Sequence, residues 1–489
     1  MTGPSIRYPA FQQHNLKPAM KIVFIHYHLK TGGVTTVIKQ QIEALGDDCQ
    51  VLVLTGSPPA DEFPAKFVVV PELAYTHPDQ SEFNPRDVAE AISDAIQDTF
   101  QGECDIVHVH NPTLAKNKHF LSILKQLQLK KIKLFLQIHD FAEDGRPLSY
   151  YYHEAYPTDC HYGALNTRDY NILLRAGLKQ TGVHHIPNMV SPVVKKHIRQ
   201  QNDNFVLYPI RAIRRKNIGE AILLSLFFED NQELIITLPP NSPIDILSYR
   251  DWIAFTQKHQ LSVEFDAGVK KDFQALVQTA RFLITTSITE GFGFSFLEPW
   301  MHDKLLWGRK LNAITQDFEQ KGIQLDHLYL QLMVPVDWIG LTRLSDRWQT
   351  CVQNVCDVFD YPIQKDHITA SFEQITADGV IDFGLLDETF QKRIIGRVLD
   401  DTKSAQLLQQ MNSFLARPVE ASSKARLIQD NKRAILANYD PRSYRRRLMR
   451  IYQSVSQTPI KQRIDKFVLL TEFLKLNEFS LLKWCDYIE

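Results

Sequence analysis

Two carboxylates eight positions apart, Glu290 and Glu298, bracket a Gly-x-Gly turn at Gly291-Phe292-Gly293, and Phe294 follows it. The apolar run Phe282–Ser287 leads into this turn and a helix-like pattern leaves it. That order puts Glu290 and the glycine amides at a strand end and Glu298 on an early helix. Ligands of open α/β sheets bind at the carboxyl ends of strands, and helix N-termini favour phosphate. Arg211 and Lys216 follow another apolar run, Phe205–Ile210. Arginine clamps a phosphate at two points and lysine adds a compact charge. Gly32-Gly33 stands after the run Lys21–Tyr27, and His139-Asp140 closes Leu134–Ile138. A polar loop with Glu143 and Arg146 comes next, then Tyr150-Tyr151-Tyr152. Rings stack on sugar faces and carboxylates accept hydroxyl protons, so Asp140, Glu143, Arg146 and Tyr150 suit a carbohydrate acceptor. The plain alternative is a set of solvated charges at strand ends. The ordered placement of every group after an apolar run favours chemistry: cations for a diphosphate, carboxylates for hydroxyls, and dipoles aimed at developing charge.

Strands and helices must alternate to position these groups. Strand-like runs at Lys21–Tyr27, Val51–Leu54, Ile106–His110, Leu134–His139 and His184–Ile186 alternate with helical patterns at Thr35–Leu45, Arg86–Phe100 and Lys118–Leu129. A second series runs through Phe205–Ile210, Leu234–Leu238, Val263–Phe265, Phe282–Ser287 and Lys304–Trp307. Such alternation predicts an α/β fold with two doubly wound domains and a cleft between them. The expected divisions are a flexible leader at 1–19, a first domain at 20–199 and a second at 205–430. C-terminal helices at 431–489 are expected to pack back on the first domain. Gln200–Asn204 reads as the hinge and Leu311–Phe390 as a helical elaboration. Tyr439-Asp440-Pro441 should break the terminal helices. The cluster Arg442, Arg445, Arg446, Arg447 and Arg450 reads as a solvated face, with weak contact to an anionic lipid surface as the alternative. Ile460–Ile488 is amphipathic, suited to either domain or to a second subunit.

Composition narrows the partners. The chain has 489 residues, 44% hydrophobic and 23% charged, with a formal net charge of −1. That size calls for more than one core, and that balance calls for neither nucleic acid nor an anionic membrane. No run approaches the ~18 apolar residues of a membrane span, and the first residues lack the apolar core of a signal peptide. The six cysteines form no Cys-x-x-Cys pair, so they read as reduced thiols of a cytoplasmic protein, without a disulfide framework. No cluster has metal-ligand spacing, so neither a metal nor another cofactor is expected.

Together the motifs resemble those of retaining glycosyltransferases of family 4, over roughly Lys21 to Arg309. Glu290 and Glu298 are similar to the family's Glu-x7-Glu pair. Ile210-Arg211-Ala212-Ile213-Arg214-Arg215-Lys216-Asn217 is similar to Gly-Arg-x-x-x-x-Lys-Gly, with both glycines replaced. The resemblance implies the two-domain GT-B fold and retaining, metal-independent transfer of a hexose, glucose from UDP-glucose being the best guess. It implies catalytic roles for His139, Arg211, Lys216 and Glu290. Gly32, Gly33, Gly291, Phe292, Gly293, Phe294 and Glu298 would bind the donor, Glu298 through its ribose. The acceptor would be a sugar, a sugar phosphate, a small acid such as a glycerate, or a glycan. An inactive carbohydrate- or nucleotide-sugar-binding protein on the same fold is the alternative. An oxidoreductase on a dinucleotide-binding fold is disfavoured, because no Gly-x-Gly-x-x-Gly follows the first strand.

Overall fold

A computed structural model describes residues 19–77, 82–191, 204–229, 232–416 and 421–487. Seven parallel strands form the first sheet: β1 (Met20–His26), β2 (Cys49–Thr55), β3 (Lys66–Val69), β4 (Ile106–His110), β5 (Leu134–Ile138), β6 (His161–Ala164) and β7 (Val183–His185). Their order is β3-β2-β1-β4-β5-β6-β7, so the chain reverses direction of growth between β1 and β4. Residues Ile22–Ile25 of β1 are wholly buried, as a strand covered on both faces requires. The helices α1 (Gly33–Leu45), α2 (Pro85–Phe100), α3 (Phe120–Leu129) and α4 (Thr167–Arg175) are the crossovers. Asn84 caps α2 by accepting from the Arg86 amide, and Asn166 caps α4 through the Asp169 amide.

The second sheet comprises β8 (Phe205–Arg211), β9 (Glu233–Leu238), β10 (Val263–Glu264), β11 (Phe282–Thr285) and β12 (Leu306–Gly308), parallel in the order β10-β9-β8-β11-β12. The stretch 311–390 holds helices at Asn312–Glu319, Leu341–Val358 and Lys365–Ile375, as expected, plus an unanticipated antiparallel ribbon of β13 (Met333–Pro335) and β14 (Val380–Asp382). Two strands of the first sheet also escape sequence reading. β3 is a mostly exposed edge, and β6 is four residues, His-Tyr-Gly-Ala, buried by its neighbours instead of by its composition.

Asp440 ends one terminal helix and caps the next, Pro441–Gln457, by accepting from the Arg442 and Ser443 amides. Tyr444, Leu448, Ile451 and Tyr452 of that helix lie in a core with β1 and α1. The basic face is mixed: Arg445 pairs with Asp48, while Arg442, Arg446 and Arg450 are exposed. Leu469 and Phe473 join the first-sheet core, whereas Leu476, Phe479, Leu481 and Trp484 return to that of the second. The tail therefore packs on both halves.

One expectation is overturned. Cys351 and Cys485 form a disulfide, with Cα atoms 5.9 Å apart, because the tail folds back over helix Leu341–Val358 and closes a separation of 134 residues. Cys49, Cys104, Cys160 and Cys356 are free thiols. Among the described residues, no helix is long and apolar enough to cross a membrane. The expected leader, apart from residue 19, and the expected hinge, apart from Asn204, lie outside the described residues.

Candidate active site in the cleft between the sheets

The carboxyl ends of the two sheets face each other. On the first side, Asn111 turns the chain after β4 in a left-handed conformation, and its Oδ1 accepts from the amides of His139 (3.2 Å) and Asp140 (3.0 Å). His139 Nε2 meets His110 Nδ1 at 2.9 Å. Burial lowers the His139 pKa to about 4 against the opposing pull of Asp140, so the ring is a neutral hydrogen-bonding group at pH 7. Asp140 accepts from both Arg146 (2.5 Å) and Arg215 (3.1 Å). Burial would raise its carboxyl, but the two guanidinium groups outweigh it and hold it well below the usual range.

On the second side, the turn Arg214–Lys216 ends at Asn217, which has φ 52°. The left-handed turn suited to glycine is thus kept by asparagine, a residue that tolerates it. Asn217 Nδ2 also donates to Glu220 at 2.7 Å. Lys216 Nζ contacts Glu290 Oε1, with the two side chains 15% and 10% exposed. Burial raises the Glu290 carboxyl, but Lys216, Arg215 and a Ser287 hydrogen bond bring it below the ordinary range. Glu298 opens a short helix at Glu298–Met301 and is water-accessible. The surrounding walls displace enough solvent to push its carboxyl up to about 7, against the attraction of Lys216.

The sides touch at Gly291. A Cβ there would lie 2.6 Å from the His139 carbonyl oxygen, so only glycine allows this approach. Asn166 Nδ2 donates to the Gly291 carbonyl at 2.7 Å and clasps the turn from the first side. His139, Asp140, Arg146, Arg215, Glu290 and Gly291 surround one small polar cavity, together with Asp144, Arg168 and Asp169. Beside it opens a cleft of about 490 Å³ whose walls include Gly32, Gly33, Tyr75, Lys116, Arg214, Ser242 and Lys483. The first amides of α1 lack a side-chain cap and line this cleft. Phe292 turns into the core against Phe294 and Phe318, which leaves the loop's backbone as its polar surface. Gly293 is buried beside them.

Of the expected site residues, Phe292, Gly293, Phe294, Glu298 and Lys216 line neither cavity, Lys216 joining the site through its pair with Glu290, and three more are placed elsewhere. Arg211 Nη1 donates to the Pro239 carbonyl (2.8 Å), and Arg211 lines neither cavity. Arg215 stands beside Lys216 instead, because the helical turn after Ile213 rotates it toward Asp140. Glu143 is fully buried, accepting from Tyr156 at 2.9 Å. Tyr150 lies under Lys466, with Nζ 3.9 Å from the ring centroid, and packs on Phe359. Residues that the sequence left unmarked are Asp144, Asn166, Arg168, Asp169 and Lys483. Only Asp144 carried a signal, its place in the polar loop after β5. Among the described residues, no group of three or more His, Cys, Asp or Glu is placed to hold a metal ion.

No protein-family model matches the chain. It is 26% identical over 416 residues to mannosylglucosyl-3-phosphoglycerate synthase of Petrotoga mobilis, a match covering 76% of this chain and 80% of that one. Its structure is similar to Anabaena Alr3699/HepE in complex with UDP and glucose (TM-score 0.51, 12% identity, 89% of this chain and 100% of that one). It is also similar to sucrose-phosphate synthase of Thermosynechococcus elongatus (TM-score 0.52, 12% identity, 89% and 99%). Two facing parallel-sheet domains, with the likeness in fold to these structures, make the fold GT-B.

Proposed function

We propose that the protein is a retaining glycosyltransferase that moves a hexose, mannose or glucose, from a nucleoside diphosphate sugar to a small phosphorylated hydroxy acid or its glycoside. What carries this reading is the meeting of Lys216, Arg215 and Glu290 with His139 and Asp140 across the two domains. The name of the Petrotoga relative supports a phosphoglycerate-type acceptor. In the reaction the acceptor oxygen bonds to the anomeric carbon as the bond from that carbon to the diphosphate breaks. The acceptor's proton leaves with the diphosphate. Lys216 and Arg215 lie where negative charge grows, and fixed cations stabilise such charge more in the transition state than in the bound donor. Glu290, kept ionised by Lys216, accepts from donor-sugar hydroxyls, and neutral His139 borders the reacting sugar. Glu298 holds the ribose, and the phosphate charge needs no metal.

The test is release of nucleoside diphosphate from UDP-glucose and GDP-mannose, with and without 3-phosphoglycerate or glucosyl-3-phosphoglycerate, followed by NMR of the product's anomeric proton. Transfer with retained configuration is expected. Failure of every donor in a thermal-shift panel to raise the melting temperature would remove the reading.

A further inference from the structure

The last described stretch of the chain crosses from one domain to the other. Its anchors lie on the second side: Ser480 Oγ donates to the Gly384 carbonyl (2.8 Å), Phe479 and Trp484 stack, and Cys485 is tied to Cys351. Arg214 fixes it from the cleft, donating to the Cys485 carbonyl while also pairing with Glu388 at 2.7 Å. From this strap Lys483 reaches the first side and contacts Asp144 Oδ1. The receiving loop is shaped around it: Gly145 has φ 78°, and a Cβ there would lie 2.7 Å from Lys483 Cγ.

We propose that Lys483 is a substrate-binding residue that selects a phosphate-bearing acceptor, giving up Asp144 for the phosphate. The proposal rests on the glycosyltransferase reading above and adds the group that recognises the acceptor's charge. Three observations support it. Lys483 lines the 490 Å³ cleft, so a ligand there meets it directly. Asp144 has a second cation in Arg168, 3.7 Å away, which keeps the carboxylate compensated when Lys483 turns to the ligand. Lys116 stands exposed on the same wall without a salt bridge among the described residues, so a ligand in the cleft meets a second ammonium, though Asp245 and Asp486 line the cleft as well. A lysine on a flexible stem suits such an exchange, because its ammonium is a point charge with rotatable donors.

The experiment is calorimetric titration of the full-length protein with 3-phosphoglycerate, with D-glycerate, and separately with UDP and GDP. Lys483→Gln should bind 3-phosphoglycerate about 10- to 100-fold more weakly, the range for one lost hydrogen bond to a charged group. Lys483→Arg should recover most of that loss. D-glycerate should bind wild type and Lys483→Gln alike. The double variant Lys483→Gln/Asp144→Asn leaves no unpaired charge, and it should show the same deficit in a protein of wild-type stability. Unchanged UDP and GDP affinity completes the expected pattern. Absent binding of 3-phosphoglycerate to wild type, equal binding to the double variant, or a parallel fall in nucleotide affinity would overturn the proposal. Failure of the glycosyltransferase reading would instead show as wild type that binds 3-phosphoglycerate through Lys483 but neither binds nor turns over a nucleotide sugar.

Discussion

Replacing Lys216 by alanine should do two separable kinds of damage. The Lys216–Glu290 pair is nearly closed to solvent, and removing one partner of a buried pair costs about 3–5 kcal/mol because the other charge is left uncompensated. Lys216 opposes the rise that burial imposes on Glu290, so without it the Glu290 pKa should climb above the ordinary carboxylate range. The sign of the pH dependence follows. In wild type the folded-state pKa is depressed, so the pair's contribution is present above the unfolded pKa of about 4.3 and is lost as pH falls through the folded value. In Lys216→Ala the folded pKa is raised, so the deficit is full at pH 7.5 and shrinks toward pH 5 as Glu290 takes up a proton. Urea unfolding at both pH values measures this, and Lys216→Ala/Glu290→Gln should regain most of the stability at pH 7.5. Catalysis should not return with it. Loss of one fixed charge at the leaving diphosphate costs ~2.7–4 kcal/mol, about 100- to 1000-fold in kcat. Arg215→Ala should be comparably slow, whereas Arg211→Ala, whose side chain is tied to the Pro239 carbonyl, should be mild. A stability deficit equal at both pH values, or a Lys216→Ala enzyme with near-wild-type kcat, would refute the reasoning.

Glu298→Ala should weaken binding of nucleoside diphosphate and nucleotide sugar roughly 10- to 100-fold, read by calorimetry, if its carboxyl holds the ribose. Transfer should persist in excess EDTA, and loss of activity restored by magnesium or manganese would show that the phosphates need a metal. Glu143 is buried with Oε2 lacking a partner, and burial pushes its pKa up to about 7. A raised carboxyl pKa makes stability fall as pH rises from about 4.5 through 7, so Glu143→Gln should gain over wild type above pH 7, by on the order of 3 kcal/mol, and lose that advantage in acid. Melting temperatures across pH 5–8 check this.

Ten of the twelve strands of the two sheets are legible in the sequence, most of them as apolar runs, because a strand buried on both faces in a parallel sheet must be apolar throughout; β7 and β10 are short and only partly buried. The break at Asp440-Pro441 and the glycine turn at 291–293 are equally local, set by capping and by the absence of a Cβ. The two missed strands and the ribbon lack that signal: β6 is held as a strand by its pairing with β5 and β7, where Phe135 and Ile186 close over Gly163. Side-chain direction is likewise not local. Arg211, Arg214 and Arg215 are one residue type within five positions, yet one turns to a strand-end carbonyl, one to Glu388 and one to Asp140. The turn's helical twist and the carboxylates facing it decide which cation reaches the site. Glu143 and Tyr150 are polar by type but are covered by Tyr156 and Lys466. Lys483 and Cys485 enter only because the tail returns across both domains, a path fixed by packing of Phe479 and Trp484 at long range. Sequence determines which segments can be strands, turns and caps, since those follow from each residue's own backbone and burial preferences. Which charges meet depends on contacts between residues 74 to 339 positions apart, and only the tertiary structure brings those together.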